Sequence, residues 1–190
     1  MSDILGNFPV FVFIHVLHKG SETMKNVHLK KTILAGLFAL SGLAAHAIEV
    51  GQVAPDFELP GRQGAVKLSA YKGKAVYLDF WASWCGPCKQ SFPWMNEMHT
   101  RYGDKGLRVL AVNLDQKSED AQTFLTETPA RFEVVFDQPG KTPRTYAIKG
   151  MPTSVLIGPD GKVLFVHSGF KDEQRGELEA HIKQALSLKD

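Results

Sequence analysis

The sequence predicts an α/β fold in which a mixed β-sheet is flanked by helices. Three observations support this prediction: apolar strand-like runs alternate with helical patterns, a glycine- and proline-containing turn at 158–161 joins two strands into a hairpin, and an amphipathic segment closes the chain. The chain has 190 residues, 44% of them hydrophobic, which is enough to bury one core. We therefore expect a single folded domain over 48–190.

The first part of this domain predicts a hairpin, a buried strand and a helix. Two short apolar pieces, 57–59 and 66–68, lie among glycines and prolines and predict a small hairpin at the domain edge. Residues 75–81 are nearly all apolar, which is typical of an interior strand covered on both faces. In 87–102 the apolar residues recur at helical spacing, so this segment is predicted to be a helix.

The remaining elements continue the alternation and end in a hairpin and a helix. Ser118 is a residue type preferred at a helix N-cap, so we expect it to cap the next helix. The last segment places Leu178 and Ile182 on one inward face. The predicted strands are 107–114, 133–136, 154–157 and 163–167, and the predicted helical segments are 118–128, 144–148 and 172–188.

The charge distribution argues against some classes of partner. The chain carries 22 basic and 20 acidic residues, but four lysines and two carboxylates precede residue 48, which leaves 18 of each sign in 48–190. A neutral domain has no excess of basic charge with which to attract nucleic acids or anionic membranes. We therefore expect no nucleic-acid partner, and membrane contact only through an uncleaved N-terminal segment.

The N-terminal residues have the pattern of a secretory signal. From Met24, a basic start, an apolar stretch over 32–43 and small residues ending at Ala47 follow one another. The apolar stretch is shorter than the roughly 20 residues of a membrane-spanning helix. We predict a signal peptide over 24–47, cleaved after Ala47, and a periplasmic location, with an uncleaved membrane anchor as the alternative. Residues 1–23 are interpreted as a non-native or over-extended segment.

The only two cysteines of the chain, Cys85 and Cys88, lie where an apolar strand gives way to a helix. Cysteines separated by two residues can close a disulfide or open it as a dithiol. The free backbone amides at a helix start stabilise a thiolate, so we expect a lowered pKa for Cys85 and assign it as the nucleophile. Cys88, one turn into the helix, would attack the mixed disulfide and release the partner. The pair itself is the predicted redox centre, without a further cofactor.

Metal binding and an inert disulfide are the other interpretations of this pair. Zinc would need further cysteine or histidine ligands at motif spacing. The histidines after residue 48, which are His99, His167 and His181, fall in separate predicted elements, and we therefore predict no metal site. In an exported protein, where disulfides persist, cysteines confined to one motif indicate exchange rather than scaffolding.

Two segments resemble the active-site loops of thioredoxin. Residues 79–89, with the sequence DFWASWCGPCK, are similar to its active-site strand and loop, and 149–153, KGMPT, to its second loop. The opening 50–59, the hairpin and the extra helix and strand over 118–136 resemble the exported TlpA/ResA-like branch of the thioredoxin superfamily. The resemblance implies a thioredoxin-like three-layer α/β/α fold with a central mixed sheet, an N-terminal β-hairpin and an extra helix–strand insertion.

The resemblance also implies roles for residues of both loops. Pro152 would be a cis-proline beside the cysteines, and the backbone of Met151 would pair with a substrate chain. Trp84 and its neighbours would form an apolar contact surface around the nucleophile, although ordinary packing is the alternative for Trp84. The residues expected to contact a partner are Trp84, Gly86, Pro87, Met151 and Thr153.

Asp79 is the expected proton-transfer residue, and its surroundings depart from the family pattern. In thioredoxins a lysine on the neighbouring strand accompanies this buried aspartate, whereas the corresponding position here is Ala111. Without that cation the carboxyl should be harder to ionise. Some exported members carry a glutamate three residues after the second cysteine, where this chain has Ser91. Proton transfer to and from Cys88 would then fall to Asp79, with a structural carboxylate as the alternative.

The resulting prediction is an exported thiol-disulfide oxidoreductase that exchanges with cysteines of other exported proteins. The resemblance implies a reductant, with cytochrome c maturation as one setting, and a membrane thiol electron donor that keeps it reduced. The Gly-Pro pair between the cysteines is the thioredoxin pair and favours the same direction.

Two alternative functions stay open at this point. A copper chaperone could use both thiolates with His99 or a methionine, because soft thiolates favour Cu(I), although methionines spaced like Met95 and Met98 are usually packing residues. A thiol peroxidase is the second alternative, because 53–57 also resembles peroxiredoxins. Those proteins place a threonine and a proline before a lone reactive cysteine, and 81–84 contains no such pair.

Overall fold

The computed structural model describes residues 48–188, so the predicted signal peptide over 24–47 and the segment 1–23 lie outside the described residues. Strands and helices alternate along the described part of the chain. The strands are Glu58–Gly61 (β1), Gly64–Lys67 (β2), Ala75–Trp81 (β3), Leu107–Asn113 (β4), Glu133–Phe136 (β5), Thr153–Ile157 (β6) and Val163–Ser168 (β7). The α-helices are Gly86–Tyr102 (α1), Ser118–Glu127 (α2), Lys141–Thr145 (α3) and Arg175–Ala185 (α4), with short 3-10 turns at Leu68–Tyr71 and Asp172–Gln174. Within 48–188 no helix has the length and apolarity needed to cross a bilayer.

The seven strands form one mixed sheet in the order β2-β1-β5-β4-β3-β6-β7. Strands β3, β4 and β5 are parallel, whereas the other neighbouring pairs are antiparallel. The inserted strand β5 joins the hairpin to the sheet, because Gly61 of β1 pairs with Val135 of β5. The strand that precedes the cysteines, β3, therefore lies inside the sheet between β4 and β6, and all of its residues are buried as predicted.

Successive residues of β3 point to opposite faces of the sheet and enter two separate cores. Tyr77 and Trp81 belong to the core that α1, α2 and α4 cover, and this core contains both cysteines. Leu78 and Phe80 belong to the opposite core, together with Tyr146 at the end of α3. The three longer helices therefore lie on the cysteine face, and the opposite face is covered by α3 and by loops.

The fold class and the N-terminal hairpin are confirmed, whereas the cap of one helix and the start of another differ from prediction. Ser118 is the first residue of α2 rather than its cap, and the cap residue Lys117 makes no side-chain hydrogen bond. Helix α3 begins at Lys141 instead of residue 144. Its start is held by the Asp137 carboxylate, which accepts hydrogen bonds from the backbone amides of Lys141 (3.2 Å) and Thr142 (2.6 Å).

The last predicted helix, 172–188, is shorter and divided. Residues Asp172–Gln174 form a 3-10 turn, and α4 covers only Arg175–Ala185. The inward face is as predicted, because Leu178 and Ile182 are buried. The helix cannot continue to residue 188, since Ser187 adopts a left-handed backbone conformation with φ of 55°.

Candidate active site

Cys85 is the N-cap of α1, and Cys88 lies in the first turn of that helix. The two residues form a disulfide, with Cα atoms 5.2 Å apart. The backbone amide of Cys88 donates a hydrogen bond to the Cys85 sulfur over 3.3 Å. An amide at the helix start thus points at this sulfur, which is the contact that would stabilise a thiolate after reduction. The lowered pKa of Cys85 stays a prediction.

The two cysteines differ in exposure. Cys85 is 5% exposed and Cys88 is fully buried, so a partner can reach only Cys85. The Cys85 sulfur is bonded to Cys88, and both residues belong to the core on this face. Trp84 is 73% exposed, and Gly86 and Pro87 are exposed beside it. The exposure of these three residues agrees with the predicted contact surface. Contact with a partner stays a prediction.

The second loop lies at the same end of the sheet as the cysteines. Antiparallel pairing of Phe80 with Thr153 brings the start of β6 beside the end of β3. The Met151–Pro152 peptide bond is cis, and Met151 packs against the core that contains both cysteines. Thr153 is buried, and its hydroxyl donates a hydrogen bond to the Gly150 carbonyl over 2.8 Å. The Thr153 side chain therefore supports the loop, and its contact with a partner stays a prediction.

Asp79 is buried on the face of β3 that carries the cysteines. It stands between Tyr77 and Trp81 at two-residue spacing, which places all three on one face. Its register partner on β4 is Ala111, so the lysine of the thioredoxin pattern is replaced by an apolar residue. Burial raises the pKa of the Asp79 carboxyl to about 7, and a hydrogen bond from Ser154 opposes that rise. The carboxyl can therefore carry a proton near neutral pH.

A second buried carboxylate, Asp115, holds the loop before the cysteines. Asp115 is 2% exposed and follows the end of β4. It accepts hydrogen bonds from the Ser83 amide (3.0 Å) and the Ser83 hydroxyl (2.9 Å). The Asn113 side-chain amide donates a third, over 2.7 Å. Asp115 thereby holds the loop at the residue directly before Trp84.

We expect Asp115→Ala to lower the free energy of unfolding by about 2–4 kcal/mol, because it leaves the part-buried donors of Ser83 and the buried donor of Asn113 without their acceptor. The loop that presents Cys85 should also loosen, and reduction of a model disulfide should slow. Chemical denaturation and exchange kinetics measure the two effects. Asp104→Ala, which removes an exposed carboxylate after α1, is the control. Equal unfolding free energies for the two variants would contradict the proposed role of Asp115 in holding the loop before the cysteines.

The two methionines considered for copper are packing residues in this fold. Met95 and Met98 are 0% and 1% exposed and belong to the core on the cysteine face. Across residues 48–188, no group of three or more histidine, cysteine, aspartate or glutamate side chains is placed to hold a metal ion. Met95 and Met98 are therefore used in packing, and the absence of a metal site stays a prediction.

Sequence reasoning missed four polar residues of this region. Two of them, Ser83 and Asp115, are joined by the hydrogen bonds that hold the loop before the cysteines. These bonds lie where the carboxyl ends of the parallel strands β3 and β4 meet. Binding sites of open α/β sheets lie at the carboxyl ends of the strands, and this rule could have pointed to Asp115. The others, Tyr77 and Ser154, form a chain of hydrogen bonds that ends on Asp79. No local pattern predicts this chain, because it depends on the pairing of β3 with β6.

Comparisons with known proteins agree with this geometry. The model of the AhpC/TSA family matches residues 50–166. The thiol-disulfide oxidoreductase ResA of Bacillus thuringiensis subsp. konkukian (strain 97-27) is 34% identical over 138 residues, which cover 72% of this chain and 79% of that protein. The similarity therefore includes both candidate loops.

Two solved structures extend the comparison. A Chlorobium tepidum protein assigned as a thiol:disulfide interchange protein, DsbE, is 57% identical with a TM-score of 0.73, covering 74% of this chain and 99% of that chain. The pneumococcal exposed lipoprotein thioredoxin of Streptococcus pneumoniae strain TIGR4 is 34% identical with a TM-score of 0.59, covering 68% and 99%. Nearly the whole of each known structure is matched.

Proposed function

Because the chain belongs to the AhpC/TSA family of thioredoxin-like proteins and is a thiol-disulfide oxidoreductase, we propose that it is an exported reductant of disulfides in other exported proteins. The observation that carries this proposal is the Cys85–Cys88 pair at the start of α1, of which only Cys85 is open to a partner. The helix amide supplies thiolate stabilisation, and Asp79 supplies a proton acceptor on the same core face.

The proposed reaction begins with the reduced protein. The Cys85 thiolate attacks one sulfur of a partner disulfide, forms a mixed disulfide and displaces the other partner sulfur as a thiolate. Cys88 then gives its proton to Asp79 and attacks the Cys85 sulfur. The Cys85–Cys88 disulfide forms, and the second partner sulfur leaves as a thiolate that takes up a proton. Two electrons pass to the partner, and a membrane thiol donor would restore the dithiol.

The export part of the proposal depends on sequence and on a relative. Residues 24–47 have the pattern of a cleaved signal, and a structural neighbour is described as an exposed lipoprotein. Both cysteines belong to the redox pair, so disulfide-forming conditions outside the cytoplasm would put no other thiol at risk. Cytochrome c maturation is the setting that the TlpA/ResA resemblance favours, with a cysteine pair of an exported protein as the substrate.

The direction of electron flow is tested by the reduction potential. We expect equilibration with a dithiol–disulfide buffer at pH 7, followed by alkylation and mass measurement, to give a value near thioredoxin's, about −270 mV. A value near that of the oxidant DsbA, about −120 mV, would reverse the proposed direction.

Export is tested by expressing the full chain in a bacterial host that has a periplasm and measuring the intact mass of the recovered protein. We expect a periplasmic product cleaved after Ala47. A full-length product in the cytoplasm would contradict export.

A further inference from the structure

The Asp79 carboxyl accepts a hydrogen bond from Ser154, and Ser154 in turn accepts one from Tyr77. The Ser154 hydroxyl of β6 donates a hydrogen bond to Asp79 Oδ1 over 2.6 Å. The Tyr77 hydroxyl, on the same strand as Asp79, donates to the Ser154 oxygen over 2.9 Å. All three side chains are buried, so water does not compete for these contacts. The three groups form a chain of hydrogen bonds that ends on one carboxylate oxygen.

The direction of this chain follows from the number of protons available. A serine hydroxyl has one proton to donate, and an ionised carboxylate can only accept. Because the Tyr77 proton occupies a lone pair of the Ser154 oxygen, the single Ser154 proton is directed to Asp79 Oδ1. The other carboxylate oxygen, Oδ2, is buried and has no hydrogen-bond partner among residues 48–188.

The two oxygens of Asp79 therefore differ in their surroundings. Oδ1 is committed to Ser154, while Oδ2 is left on the core face that also contains Cys88. We infer that Ser154 is the positioning residue of Asp79: its hydroxyl, directed by Tyr77, holds Oδ1 and leaves Oδ2 to take the proton of Cys88. The proton transfer to Oδ2 rests on the role proposed for Asp79 above.

This arrangement replaces the absent cation of the thioredoxin pattern. The β4 neighbour of Asp79 is Ala111, which offers no charge or hydrogen bond, so stabilisation of the carboxylate comes from β6 on the other side. A hydrogen bond to the charged form favours ionisation, which limits the rise in pKa that burial causes at Asp79. Ser154 thus keeps the carboxyl able to exchange a proton near neutral pH.

Any test must distinguish the titration of Asp79 from that of other titratable groups nearby. Cys88 of α1 and Tyr77 of β3 belong to the core on this face, to which α4 contributes the apolar Leu178 and Ile182. His167 of β7 is the register partner of Ser154 and is the next titratable residue in that row. Because a histidine lies in the same row, the Asp79 carboxyl must be observed directly.

The test is a carbon-13 NMR titration of the Asp79 carboxyl in the oxidised protein, with Asp79→Asn to assign the signal. We expect Ser154→Ala to raise the pKa of Asp79 by about one unit or more, since a hydrogen bond to a charged group is lost. Tyr77→Phe should raise it less, and Ser154→Thr, which keeps a hydroxyl, should return it toward the unmodified value. Ser168→Ala, which removes a β7 hydroxyl that does not contact Asp79, is the control and should leave it unchanged.

A second measurement separates this inference from the proposed function. The rate at which the reduced protein reduces glutathione disulfide is followed against pH, and the Ser154→Ala profile should move to higher pH by the same amount as the pKa. An unmoved Asp79 pKa in Ser154→Ala would overturn the positioning role, even if the variant is less stable. A pKa that moves while the rate profile stays in place would overturn proton transfer through Oδ2 and remove Asp79 from the proposed mechanism.

Discussion

Replacing Cys85 by serine is expected to reduce the disulfide reductase activity to the uncatalysed background, whereas replacing Cys88 by serine should trap mixed disulfides with partners. Serine at position 85 removes the nucleophile that a partner can reach, and serine at 88 leaves that nucleophile but removes the buried thiol that resolves the intermediate. Reduction of a model protein disulfide measures the first effect, and non-reducing electrophoresis with mass spectrometry measures the second.

The double variant Cys85→Ser/Cys88→Ser is the matched control for this experiment and should neither turn over nor trap. Equal trapping by the two single variants would mean that the roles of the cysteines are wrongly assigned. Applied in the native cell envelope, Cys88→Ser also identifies the partners, because each remains covalently attached to Cys85. Captured apocytochromes would support the cytochrome c setting, and a set of captured proteins without them would contradict it.

We expect the second large effect at Asp79, in the pH dependence of stability. The carboxyl titrates at about 7 in the folded protein and near 3.9 in an unfolded chain. Between these values the folded state holds a proton that the unfolded state has lost, so stability falls as pH rises, by up to about 1.4 kcal/mol per unit. The total loss from Asp79 should approach about 4 kcal/mol and be complete above pH 7.

Asp79→Asn removes this titration while keeping an oxygen that can accept the Ser154 hydrogen bond. Urea denaturation of the oxidised protein should give similar unfolding free energies for both proteins near pH 4, and a variant more stable by about 4 kcal/mol at pH 8. All other titrating groups are common to both proteins, so the difference reports Asp79 alone. Asp104→Asn, at an exposed position, should parallel the unmodified protein. If the unfolding free energies of Asp79→Asn and of the unmodified protein changed with pH in parallel, a buried Asp79 with a raised pKa would be refuted.

Much of the fold was predictable because its signals are local. The apolar run of β3 and the helical spacing of α1 are patterns of neighbouring residues, and both elements lie within one residue of their predicted bounds. The start of α3 was misplaced because Asp137, which holds it, lies four residues outside the helix. The redox pair could be located for the same reason as α1, since Cys85 and Cys88 occupy one helix start.

The surroundings of the pair could be predicted only in part. The position of Asp79 followed from the resemblance to thioredoxin, and its neighbour Ala111 was placed on β4 as the structure has it. The exposure of Trp84 also agrees with a contact surface. The burial of Thr153 has no local signal, because the hydrogen bond from its hydroxyl to Gly150 forms only once the second loop has folded.

The order of amino acids suffices to predict the strands, the main helices and the cysteine pair at a helix start, because hydrophobic periodicity and helix-end chemistry act between residues close in the chain. The hydrogen bond from Ser154 to Asp79, 75 residues away, and the one from Ser83 to Asp115, 32 residues away, become visible only in the folded protein. The physical reason is that both contacts depend on how strands pair and on which loops meet at the sheet edge. A hydrogen bond between distant residues exists only when that pairing is in place, and no local pattern carries it.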